Sequence, residues 1–401
     1  MRQFFADKQT RAKCHIYAML ESYAKKRHIS FHTPGHKIGK WDITELSYSD
    51  NLACPSGCIA AAERDIAQIL GAKKSFILTD GSTCGVFCML YAAKATGVQT
   101  VYLIEPVHIS VYNACAALGL TPLFTVDGAD AILCTSPDYY GNIADFKALK
   151  ATGKLLLVDG AHGGHLHYNK ELYAGAYADL WVDGVHKSLP ALTQGAVVSA
   201  KTETLAEKLR EAVGIFRTTS PSYPVMASVE YAVKYPRNER LETLVKGYKN
   251  DRVRVNEDYT KLLTLFGKNA FQAQKYLENK GVYAEFCDGN NLCFYLSPAT
   301  KLRDFKKLKT LLKKTFEKYP YEPIKETQRI PAPLVFEENG TEWVALSASE
   351  NRVCAANCGL FPPCTPLLQK GERITQEKIA LLTNAKNVFG LNDGRILVYE
   401  E

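Results

Sequence analysis

The chain has 401 residues, 46% hydrophobic and 23% charged, with a net charge of +7. This is ordinary globular composition, long enough for a large core and two or more domains. The positive charge is scattered, with no dense basic patch carrying base-stacking aromatics, which excludes a nucleic-acid binder, and twelve cysteines in so long a chain exclude a small disulfide scaffold.

Residues 1–30 read as an amphipathic helical segment with polar residues throughout, neither a signal peptide nor a membrane span. A reducing cytoplasm is the expected compartment. FHTPGHKIG (31–39) is a Pro/Gly-punctuated loop, and CIAAAERDIAQILGA (58–72) is a helix closed by Gly71. Short apolar runs then recur at 75–79, 100–104, 121–126, 130–134, 154–158, 179–183 and 195–199. Most are separated by loops and helix-like segments such as 83–96 and 108–119. Continuous apolar strands alternating with helices predict a mainly parallel, seven-stranded sheet flanked by helices, an α/β fold.

After about residue 200 the texture changes. Residues 202–216 are helical, TTSPSYP (218–224) is a turn, and 225–279 read as mostly helical and charged. VYAEFCDGNNLCFYLS (282–297) reads as a hairpin around Asp288–Asn291. KLRDFKKLKTLLKKTFEKY (301–319) reads as a helix whose lysines form a solvated face. The expected division is an N-terminal helical segment (1–30), a large α/β domain (31–235) and a smaller α+β C-terminal domain (236–401). Cys54/Cys58, Cys84/Cys88 and Cys354/Cys358 are closely spaced, but none supplies the paired Cys/His clusters of a structural zinc site, so no metal is expected.

In open α/β sheets ligands collect at the carboxyl ends of strands. After the first strand comes TDGSTCG (79–85), which opens a helix and suits an anion site at Gly81, Ser82 and Thr83. It lacks the lysine of a Walker A loop, which excludes a P-loop NTPase. His108 follows the second strand and TSPDYYG (135–141) the fourth. Asp159 and His162 of DGAHGGH (159–165) follow the fifth, and His186-Lys187 the sixth. Singly these are ordinary: such turns are usually helix caps, and strand-end Asp residues often N-cap. In this order they match the needs of pyridoxal 5′-phosphate (PLP). It requires an anion site, a stacking ring, a carboxylate for the pyridine nitrogen and a lysine for the aldehyde.

The same stretches, with HTPGHK (32–37), WDITELSYSDNL (41–52), AAERDIAQILGA (61–72), HKSLPALTQGA (186–196), TTSPSY (218–223) and GERIT (371–375), resemble the Orn/Lys/Arg decarboxylases. These are PLP enzymes of the aspartate-aminotransferase fold (fold-type I), and the resemblance covers most of the chain. It implies that Lys187 binds the cofactor covalently and that Asp159 pairs with the pyridine nitrogen. Ala161 would pack on the ring, with His108 stacked on the opposite face and His162 beside the reacting carbon. Gly81, Ser82, Thr83 and His186 would surround the phosphate, and Thr219 or Ser220 would reach a phosphate in the neighbouring subunit. The implied activity is decarboxylation of lysine, ornithine or arginine to a polyamine precursor, in a homodimer with a shared site and no nucleic-acid or membrane partner. Lys187 or His162 would return the proton.

The chain departs from the family pattern at the site itself. Asp80 stands for Asn, Gly184-Val185 for Ser-Thr before the His-Lys pair, Gly160 for an acid, and Asp138 for Thr. FPPCTP (361–366) stands where the family has a YPPGIP-type segment. These departures support an alternative, a weak or inactive member acting as a binding or regulatory protein. A PLP aminotransferase is the other enzyme reading. For the substrate's cationic end, Asp138 and Glu372 are the candidates.

Overall fold

The computed structural model describes residues 4–26, 28–37, 40–323, 340–360, 364–385 and 387–400. Seven strands form one sheet: β1 (Lys74–Leu78), β2 (Thr100–Ile104), β3 (Thr121–Leu123), β4 (Ala131–Thr135), β5 (Leu155–Gly160), β6 (Leu180–Asp183) and β7 (Ala196–Ala200). Their order is β1-β7-β6-β5-β4-β2-β3. β3, β2, β4, β5 and β6 pair in parallel, while β7 runs antiparallel to both β1 and β6. All seven expected strands are present, the third shortened from 121–126.

The central strands lack a polar face because both faces are covered. Every residue of β6 and β7 is buried. On one face Ile77, Cys134, Val158, Trp181 and Val197 join a core with helices His15–Lys25, Cys58–Leu70 and Tyr223–Val233. Helices Gly81–Lys94 and Glu203–Phe216 pack on each other and against β1 and β7. Gly85 sets how close the first of them comes, since a Cβ there would lie 2.4 Å from Val182 Cγ2. The expected helical segment at 1–30 resolves into helices Lys8–Arg11 and His15–Lys25. The second has no side-chain bond from its N-cap residue, Cys14. Buried Glu230 serves instead, accepting from the N–H groups of His15 (2.7 Å) and Ile16 (2.9 Å). His15, Asp65 and Glu230 are the one described group with metal-ligand proximity. Lys234 Nζ already lies between its carboxylates, 2.6 Å from Asp65 and 2.8 Å from Glu230.

Two compact units divide the chain, the first comprising Met1–Glu105 and Asn113–Tyr321, the second Pro106–Tyr112 and Glu322–Glu401. Residues 236–321, expected with the C-terminal domain, therefore group with the large sheet. They keep a sheet of their own, β8 (Val253–Arg254), β9 (Lys261–Leu265), β10 (Phe286–Cys287) and β11 (Asn291–Tyr295), antiparallel in the order β10-β11-β9-β8. Helices Glu239–Lys246, Ala270–Glu278 and Leu302–Lys318 close a separate core over it. The hairpin and the Lys-rich helix stand where expected. The mostly helical reading of 225–279 is corrected by β8 and β9.

The second unit has its own small core of Leu346, Cys354, Cys358, Leu368, Ile374 and Val398. Burial pushes the Cys354 and Cys358 thiols up to about 11 and about 12, so both are inert apolar packing at neutral pH. Residues 361–363 of FPPCTP lie outside the described residues. No helix among the described residues is long and apolar enough to cross a membrane.

Candidate functional site

β6 ends at Asp183, and a short helix, Val185–Ser188, carries His186 and Lys187. Between them Gly184 lies against the backbone of Ala161: a Cβ at 184 would stand 2.4 Å from Ala161 O. The missing hydroxyl at 184 is thus a consequence of close packing. Backbone bonds fix the turn, with Lys187 N donating to Gly184 O at 2.9 Å. His186 donates to Gly195 O twice, from N at 3.1 Å and from Nδ1 at 2.9 Å. The Nδ1 proton is thereby assigned, and burial lowers the pKa of this imidazole. Next to Gly195, Gln194 O accepts from Gly81 N at 2.9 Å. Two consecutive residues thus tie the Gly81 turn to the Lys187 helix. Gly81 itself has φ +77°, a left-handed conformation that favours glycine.

The next strand end, that of β5, carries Asp159, 2% exposed, whose Oδ1 accepts from Ala161 N at 3.1 Å. Buried His162 follows, with Nε2 3.5 Å from Lys187 Nζ. The imidazole packs edge-on against Tyr139 (centroids 4.7 Å apart) and Tyr295 (5.4 Å). Tyr295 OH donates to Tyr139 O at 3.1 Å, which holds the two rings together. Gly160 follows the same logic as Gly184, since a Cβ there would lie 2.8 Å from Val182 O and 3.2 Å from Asp183 Oδ1. An acid at 160 has no room.

Lys187, His186, Ala161, His162, Asp159 and the Gly81–Thr83 turn are therefore brought together. Ser82 is half-buried and Thr83 exposed at the start of a 14-residue helix. Thr219 and Ser220 are exposed, and Ser220 N donates to Thr218 Oγ1 at 3.1 Å. His108 belongs to the second unit, where its Nδ1 accepts from Ser110 N at 3.1 Å and lies 2.8 Å from Ser110 Oγ. Asp80 Oδ2 accepts from Thr218 N at 3.3 Å, so this carboxylate is engaged by the neighbouring turn. Asp138 accepts from Tyr140 N (2.8 Å), Asn142 N (2.9 Å) and Asn142 Nδ2 (2.7 Å). Glu372 accepts from Gln369 N at 3.0 Å and pairs with Lys378. Both acids proposed for the substrate's cationic end are held in their own turns.

Sequence reasoning missed Tyr139, Tyr295 and Asp183. The signal for Asp183 was a charge closing an otherwise apolar strand, LWVD. The residue is 1% exposed, and its Oδ2 accepts from Tyr173 OH (2.6 Å) and Trp181 Nε1 (3.1 Å). Burial pushes this carboxyl up to about 7; the two donors pull it down and Asp159 adds to the rise. The folded state therefore holds a proton that the unfolded chain releases near pH 4, and stability falls as pH rises from there toward 7. Asp183→Asn is expected to remove this fall, of about 1.4 kcal/mol per pH unit at most, in urea unfolding measured between pH 4.5 and 7. Parallel pH slopes for the two proteins would remove Asp183 from this role.

Residues 14–133 and 127–264 match the family described as Orn/Lys/Arg decarboxylase, major domain. The chain is 25% identical to the uncharacterized protein YaaO of Bacillus subtilis, over 96% of this chain and 98% of that one. It is 24% identical to an arginine decarboxylase of the same organism, over 92% of each. Among solved structures, the constitutive lysine decarboxylase of E. coli superposes with a TM-score of 0.70 at 19% identity, over 97% of this chain and 82% of that one. Lysine decarboxylase A from Pseudomonas aeruginosa gives 0.77 at 15% identity, over 96% and 80%. The fold is the fold-type I α/β architecture expected from the strand pattern and the motifs.

Proposed function

The chain belongs to the Orn/Lys/Arg decarboxylase family, and we propose that it is a PLP-dependent carboxy-lyase acting on lysine, ornithine or arginine. The observation that carries this reading is Lys187 Nζ at 3.5 Å from His162 Nε2, on a rim that also holds buried Asp159. The donor set suits the cofactor: an amine, a dry carboxylate at a rigid strand end, and a helix start tied to the lysine's own loop. Bound PLP supplies an electron sink conjugated to the substrate Cα.

The chain's residues do the rest. Lys187 would hold the cofactor covalently. Asp159, whose carboxylate is oriented by the Ala161 N–H, would keep a proton on the ring nitrogen. Gly81 forms the turn, its own N–H being engaged by Gln194 O, while the N–H groups and hydroxyls of Ser82 and Thr83 and the neighbouring His186 would receive the phosphate; a helix start adds roughly 0.3–1 kcal/mol for a negative group. Ala161 would pack on the ring. His162 Nε2 and Lys187 Nζ stand 3.5 Å apart, so either could hold the proton that would be returned to the substrate Cα. Thr219 or Ser220 serves the neighbouring subunit of a homodimer, which accords with their exposure here. A reducing cytoplasm and the supply of polyamine precursors complete the reading.

The test is to load the full-length chain with PLP, remove free cofactor, and assay each basic amino acid for CO₂ and amine. Amine with stoichiometric CO₂ supports the reading. Keto acid without CO₂ assigns an aminotransferase. A protein that retains no visible absorption is a binding protein that kept the fold.

A further inference from the structure

A fully buried polar cluster in the described chain stands outside this mechanism. Lys261, Asp258 and His165 are each 0–1% exposed, as is Thr260. Lys261 Nζ lies 3.3 Å from Asp258 Oδ2 and 3.1 Å from Thr260 Oγ1. Asp258 Oδ1 is 2.8 Å from His165 Nε2 and accepts from Thr260 N at 2.9 Å. Burial pushes the Asp258 carboxyl up, but His165 and Lys261 beside it hold it well below the usual carboxylate range. Substrate cannot reach groups this dry. Nor is stability a sufficient reason for them, because desolvation largely offsets the attraction of a buried ion pair.

Their neighbours supply another reason. Lys261 Nζ sits 4.2 Å from the centre of the Tyr295 ring. That ring packs on His162 and is bonded to Tyr139, the second ring on His162. At the other end, His165 is three residues past His162, and its backbone N–H reaches Ser188 Oγ at 3.4 Å. The contacts close a circuit, Lys187–His162–Tyr295–Lys261–Asp258–His165–Ser188, whose two ends are adjacent residues of one short helix. Gly141 lets the turn that carries Tyr139 lie against the charged segment. It has φ +87°, and a Cβ there would be 3.0 Å from Lys261 Cβ and 3.1 Å from Asp258 O.

We propose that Lys261, Asp258 and His165 are positioning residues, a buried charge latch that clamps Tyr139 and Tyr295 against His162 and fixes the imidazole opposite Lys187. The proposal rests on the reading of His162 and Lys187 as the reacting pair. Its test uses the full-length chain without cofactor, labelled at histidine, with the His162 imidazole signal assigned through His162→Gln. Lys261→Met removes the ammonium alone. The K261M/D258N pair removes both charges, leaves neither uncompensated, and guards against a single variant that fails to fold.

In the folded variant the His162 signal is expected to move, because the ring currents of Tyr139 and Tyr295 change, while that of His186 stays. With PLP and substrate, kcat is expected to fall on the order of a hundredfold with little change in KM, the scale of a misplacement near 1 Å. A folded variant whose His162 signal stays in place overturns the latch and leaves the cluster as packing. If the unaltered protein retains no PLP, the functional reading fails while the His162 signal still decides the latch.

Discussion

Replacing Lys187 by alanine is expected to lower decarboxylation by at least about a thousandfold and to leave the fold intact. In the proposed reading the amine would be the covalent holder and one of two atoms able to return the proton, so no neighbouring group would replace both roles. The structural consequence is small. Lys187 is half-buried, and its helix is fixed by backbone bonds to Gly184 and Gly195 that alanine preserves. The urea midpoint should therefore barely change, while the visible absorption retained after dialysis disappears. Lys187→Arg separates charge from chemistry: it keeps a cation near His162 but offers no amine, and it should be as inactive as alanine. A tenth of normal activity in either variant would sink the assignment of Lys187.

The sheet was legible because its strands are apolar on both faces. A run such as AILCT or LLLVDG allows little besides a covered strand, and the polar residues that end each run mark the rim. Lys187, Asp159 and His162 could be placed for that reason. The second layer was not legible. β9 reads KLLTL, five buried residues opened by a lysine and preceded by NEDYT. A charge in that position looks solvated, so the segment passed for part of a helical, charged region. Only its partners, Asp258 beside it and His165 some hundred residues earlier, explain a dry lysine. Tyr295 was hidden by the same separation, since its ring meets His162 across two layers. Asp80, standing where the family has Asn, was not legible either: only the structure shows its carboxylate accepting from Thr218 N.

Gly160 and Gly184 were the departures most open to misreading, and the second yields a sharp expectation. If Gly184 were merely a lost phosphate-binding hydroxyl, Gly184→Ser would restore the family pattern and tighten PLP binding. The packing argues the reverse. A Cβ at 184 would stand 2.4 Å from Ala161 O and 3.1 Å from Ala161 C and Cα, so backbone has to move. The backbone in question lies between Asp159 and His162, and the residue that would displace it lies three before Lys187. Overpacking of this kind costs about 1–3 kcal/mol. The larger effect falls on alignment, because a shift near 1 Å between Lys187 and His162 is enough to lower turnover about a hundredfold. Gly184→Ser is therefore expected to lower both the urea midpoint and kcat and to weaken PLP retention. Tighter PLP binding with unchanged stability would show that β6 and the Ala161 turn can separate, and that the hydroxyl was the only thing missing.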